Sequence, residues 1–129
     1  MVFANTKLLL IVSALAELGV GVSLLVAPSF TAELLLGAGL GSPESVLVGR
    51  VGGAALLSIG LSCWLEQSRN RSGPSMGLVA GLAAYNFVVA TLLIYAAVVD
   101  GMNGVGIWPA TGLHMVLLIW CAARLRAGG

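Results

Sequence analysis

The hydrophobic positions of this chain fall into four long runs, at 8–27, 45–65, 76–99 and 106–123, parted by short polar or turn-forming stretches. At about 1.5 Å of rise per residue, runs of this length match a hydrocarbon core about 30 Å thick. Gly, Ala and Val are abundant in all four. Helix is the form in which an open chain satisfies its own backbone in lipid. The first run is longer than the apolar core of a signal peptide. It contains Glu17, and no small-x-small cleavage site closes it before Pro28, where the run ends Leu25-Val26-Ala27. It reads as a retained first span.

The punctuation agrees. Pro28 stops the first span. Ser42-Pro43-Glu44 suits the start of the second, with proline in the first turn and an acid at the positive helix end. Ser72-Gly73-Pro74-Ser75 and Asp100-Gly101-Met102-Asn103-Gly104 make the later breaks, and Trp108-Pro109 opens the fourth span. The segment 29–40 is too short to span and carries Glu33. With Phe30, Leu34 and Leu35 at helical spacing, it reads as an interfacial or re-entrant helix, the glycines at 37, 39 and 41 leaving an irregular loop open. The predicted fold is therefore an all-α membrane protein, one domain over 1–129. It is a four-transmembrane-helix bundle with a short interfacial helix between spans one and two.

Composition sharpens this. Of 129 residues 59% are hydrophobic and 9% charged, where a soluble domain has about a quarter charged. A net charge of +1 leaves no basic surface for phosphates, so nucleic acid is excluded as a partner. Lys7, Arg69, Arg71, Arg124 and Arg126 fall on one side of the four-span layout, and Glu33, Glu44 and Asp100 on the other. The positive-inside rule places both termini in the cytoplasm, and a bacterial inner membrane is the expected location. Trp64 and Trp120 are expected at the inner interface and Trp108 at the outer. Cys63 and Cys121 sit in apolar runs without a CxxC motif and read as small reduced thiols.

Each span holds one conspicuous polar side chain: Glu17, Arg50, Asn86 and His114. Charge near a span centre costs about 2.5–3.5 kcal/mol on insertion scales and calls for a partner or water. By depth, Arg50 is expected to pair with Glu17, with His114 alongside and Asn86 as floor. Tyr85 beside Asn86 and Thr111 one turn before His114 either extend the cluster or, as is commoner for such residues, are ordinary helix-interface positions. This cluster reads either as a ligand site opening to the outer half of the membrane, with 29–40 as its lid, or as a structural clamp. Gly49-x-x-x-Gly53, Gly77-x-x-x-Gly81 and Gly19-x-x-x-Ser23 permit close helix approach. One histidine without further ligands calls for no metal and no cofactor, and no catalytic residues are indicated.

Glu17-Leu18-Gly19, Pro28 before Leu35-Leu36-Gly37, and Val48-Gly49-Arg50-Val51-Gly52-Gly53-Ala54 running into Leu56-Leu57-Ser58-Ile59-Gly60-Leu61 carry a resemblance to the DoxX-like small four-helix membrane proteins. It covers the first half of the chain. The resemblance implies a bundle with an inward Glu and Arg and, through some relatives, accessory roles in quinone-dependent oxidation or membrane redox complexes. Ala14-Leu15-Ala16-Glu17 is similar to the first span of the small multidrug transporters. From these, Arg50 beside the carboxylate and the long connection after span one depart.

The expected function is binding of a hydrophobic or amphiphilic ligand, lipid- or quinone-like, or service as an accessory subunit of a membrane complex, without enzymatic activity. The bilayer, a lipid or quinone, and a second copy or membrane-complex subunit are the expected partners. A proton-coupled transporter and a lipid-modifying membrane enzyme, with Glu17 or His114 as acid/base, are the alternatives.

Overall fold

A computed structural model describes residues 5–68 and 75–128. Arg69, Arg71 and the Ser72-Gly73-Pro74 break lie outside the described residues. The described residues form five helices: α1 (Thr6–Val26), α2 (Pro28–Leu36), α3 (Pro43–Gln67), α4 (Met76–Val98) and α5 (Ile107–Gly128). The four long ones are long and apolar enough to cross a membrane. They alternate in direction, so α1 begins and α5 finishes at one end of the bundle, here the terminal end. The opposite end carries α2.

Helix boundaries follow local chemistry. Asn5 caps α1, its side-chain oxygen accepting from the N–H of Leu8 at 3.0 Å. Pro28 both closes α1 and opens α2, because a proline at the first helical position lacks only an N–H that would be unpaired anyway. Gly37, at φ +83°, ends α2 in the left-handed region that glycine adopts freely. The helix therefore covers less than the expected 29–40. Ser42 and Ser45 make a reciprocal capping box on α3. The Glu66 carboxylate accepts from the N–H of Ser75 at 2.8 Å, tying the end of α3 to the start of α4. α5 runs on past the expected end at 123, since Arg124 and Arg126 end an apolar run without ending a helix.

Packing is uneven. α1 lies along α3 and α4 along α5, and these two pairs hold most of the tertiary contact. They join in a core of Leu9, Leu10 and Ala14 from α1, Cys63 from α3, Val79 and Leu82 from α4, and Leu117, Trp120 and Cys121 from α5. This core sits towards the terminal end. Trp120, expected in an interfacial belt, is instead only 5% exposed, because its face of α5 turns inward. Trp64 and Trp108 are exposed, as belt residues would be. Both cysteines are free and buried. At the other end the backbone N–H of Gly106 donates to the carbonyl of Leu34 at 2.9 Å and locks the start of α5 to α2.

Candidate intramembrane polar site

Three helices contribute polar side chains at mid-bundle. At about 1.5 Å per residue, Glu17 lies about 16 Å along α1, Tyr85 about 14 Å along α4 and His114 about 10 Å along α5. All three levels fall near the centre of a 30 Å core. The Tyr85 hydroxyl donates to Glu17 Oε2 at 3.0 Å. Asn86 Nδ2 donates to the Leu82 carbonyl at 2.7 Å, and Asn86 Oδ1 lies 2.7 Å from His114 Nδ1. The first of these bonds fixes which way the amide points. Oδ1 is therefore the atom that meets the imidazole, and Nδ1 carries the hydrogen it accepts. The rings of Tyr85 and His114 meet edge to face at 5.7 Å, joining the two bonded pairs into one cluster.

Glu17 is 3% exposed and Asn86 1%. Groups buried to this degree in an apolar bundle cost several kcal/mol without partners, so the bonds decide how α1, α4 and α5 face one another.

Of the four residues singled out by sequence, the structure brings three together and leaves one out. Arg50 is exposed on α3. No ion pair joins it to Glu17 among the described residues, and Tyr85 takes the position at the carboxylate instead. Arg50 lies about 10 Å from the start of α3, close enough for its long stem to carry the guanidinium to the interface. Tyr85 belongs to the cluster, whereas Thr111 does not, its hydroxyl donating to its own helix at Ile107 at 2.7 Å.

The space beside the cluster is also not where it was expected. α3 and α4 barely touch, and between them runs an open groove of ≈ 370 Å³. It is lined by Ser58, Ile59 and Ser62 on one side and Gly77, Leu78, Gly81, Leu82 and Tyr85 on the other. Tyr85 is thus shared: its hydroxyl binds Glu17 and its side chain closes the mid-bundle end of the groove. The groove extends towards the terminal end. Apolar grooves at the α2 end, between α1 and α2 and between α2 and α3, include none of Glu17, Arg50, Asn86 and His114. Ser58 and Ser62 were not legible as site residues, because serine in a span more often bonds back to its own helix.

Fold and site together define an α-helical bundle with four candidate membrane spans and a hydrogen-bonded polar cluster at its centre. No family model, curated protein or solved structure matches the chain.

Proposed function

We propose that this chain is a small integral membrane protein that holds an amphiphilic molecule, lipid- or quinone-like, with its apolar part in the α3/α4 groove and its polar head at Tyr85. The observation that carries this reading is the groove itself, which ends on a tyrosine bonded to a buried carboxylate. An apolar trough with a few convergent polar groups is the usual form of a small-molecule site. The test is the set of amphiphiles that stay with the purified protein, identified by mass spectrometry. Gly81 has open space where a side chain would begin, so Gly81→Leu fills the groove without disturbing a helix contact. The expected result is loss of the retained species with helix content unchanged. The same species retained at the same stoichiometry in Gly81→Leu overturns the reading.

A second reading, proton-coupled transport of a small lipophilic cation, is supported by Glu17 standing apart from Arg50, since no fixed cation then competes for the carboxylate. The loop cations support cytoplasmic termini, in what we read as a bacterial inner membrane. In a background lacking Cys63 and Cys121, single cysteines at Ser42 and Asn103 are then expected to label from outside, and labelling confined to the inside reverses the topology.

A further inference from the structure

We propose that the α3/α4 groove selects an occupant whose head group donates hydrogen bonds, an alcohol, phenol or protonated amine, over one that only accepts them. The proposal deepens the reading of the groove as a binding site and rests on it: among lipid- or quinone-like occupants it favours a hydroxyl-bearing lipid or the reduced quinol, whose O–H groups donate, over the oxidised quinone, whose carbonyls only accept. Three hydroxyls line the groove, and each has one hydrogen to give. Ser58 Oγ donates to the Ala54 carbonyl at 3.0 Å and Ser62 Oγ to the Ser58 carbonyl at 2.8 Å. The Tyr85 hydroxyl donates to Glu17 Oε2 at 3.0 Å. All three hydrogens are committed, so the oxygens present lone pairs to an occupant.

The other lining side chains are aliphatic or absent: Ile59, Leu78 and Leu82, with Gly77 and Gly81. Backbone donors add little. The N–H of Leu78 is bonded to the Ser75 carbonyl, and Ile59, Gly81 and Leu82 lie inside helices. Gly77, in the first turn of α4, is at the mouth, about 12 Å along the helix from Tyr85.

A head group bearing only carbonyl or ether oxygens would meet lone pair against lone pair. To gain a bond it would have to break one of the three existing ones, with no water to compensate. A head group bearing O–H or N–H finds the Tyr85 oxygen open. It forms a chain from ligand to Tyr85 to Glu17 in which each bond polarises the next.

The experiment compares para-dodecylphenol with para-dodecylanisole, which share ring and chain and differ in whether the oxygen carries hydrogen or methyl. Binding to the protein in lipid nanodiscs is measured by native mass spectrometry for wild type, Gly81→Leu, Tyr85→Phe and Ser58→Ala/Ser62→Ala. The expected result is phenol binding about tenfold tighter than anisole in wild type. That preference should shrink in Tyr85→Phe, and circular dichroism and elution volume should show the variants folded. The serine pair provides the second arm should Tyr85→Phe fail to fold. Equal binding of both probes in wild type, with both lost in Gly81→Leu, overturns the selectivity and leaves the groove reading standing. A phenol preference undiminished in both Tyr85→Phe and the serine pair also overturns it. Binding of neither probe overturns both.

Discussion

Two seams of this bundle are built from the same kind of residue and end differently. Along α1/α3, Gly21 and Gly53 face each other so closely that a Cβ on either would lie within 2.9 Å of the other's carbonyl oxygen, and Leu18 covers Gly60. Along α3/α4, Ser58 and Ser62 line one wall and Gly77 and Gly81 the other, yet the helices stay apart and leave the groove. Nothing lies within 4 Å of a Cβ built on Gly81. Lipid is as apolar as a helix surface, so no hydrophobic force closes a seam, and only contact and hydrogen bonding repay approach. In the closed seam each glycine's missing side chain is filled by the other's backbone. Small residues permit close approach, and the opposing shape decides whether it happens.

The largest effect should come from testing that reciprocity. Gly53→Ala sets a methyl 2.8 Å from the Gly21 carbonyl and 2.9 Å from Leu24 Cβ, neither of which can swing aside. It should lower stability by about 1–3 kcal/mol, read as unfolding in mixed micelles with increasing dodecyl sulfate. A loss below about 0.5 kcal/mol would mean that the seam gives way readily, and the contrast would collapse.

Next in size is the polar cluster, which adds hydrogen bonding to the packing of α4 along α5. Asn86→Leu leaves the His114 Nδ1–H without its acceptor and should cost about 1–2 kcal/mol. Paired with His114→Phe in a double-mutant cycle, it should show a coupling of about 0.5 kcal/mol or more. Zero coupling would separate the two residues.

The spans and the short helix were legible because lipid demands long apolar runs, and because Pro28 and Gly37 mark backbone geometry whatever surrounds them. The polar residues were legible as a set, since each is costly in a span. Their partners were not. A partner depends on how each helix is rotated, and helices apolar on every side carry little pattern to report it. Asn86 and His114 met as the depth estimate allowed. Glu17 met Tyr85 because a tyrosine already on the facing helix reaches the carboxylate, whereas Arg50 is turned away on α3. Trp120 lies in the core and not in the belt for the same reason, since belt and core tryptophans look alike in sequence. The groove was invisible because the small residues lining it are of the type that closes the α1/α3 seam.

The smallest effects should fall at the open seam and at the exposed Arg50. Gly81→Ala adds a methyl to empty space and should change stability by less than about 0.5 kcal/mol, in contrast to the same exchange at Gly53. Arg50 provides the finer test, because it stands one turn from Gly53 on the same helix. Were the α1/α3 seam held by a buried Glu17–Arg50 pair, Arg50→Ala would strand the carboxylate and cost about 3–5 kcal/mol, and adding Glu17→Ala would recover much of that loss. The structure has Arg50 exposed and the carboxylate bonded to Tyr85, so the expectation reverses. Arg50→Ala should cost little, Glu17→Ala should cost what the Tyr85 bond contributes, and the double variant should show their sum within about 0.5 kcal/mol. A double variant more stable than Arg50→Ala alone would restore the ion pair, and the closed seam would then owe its closeness to charge as well as to glycine.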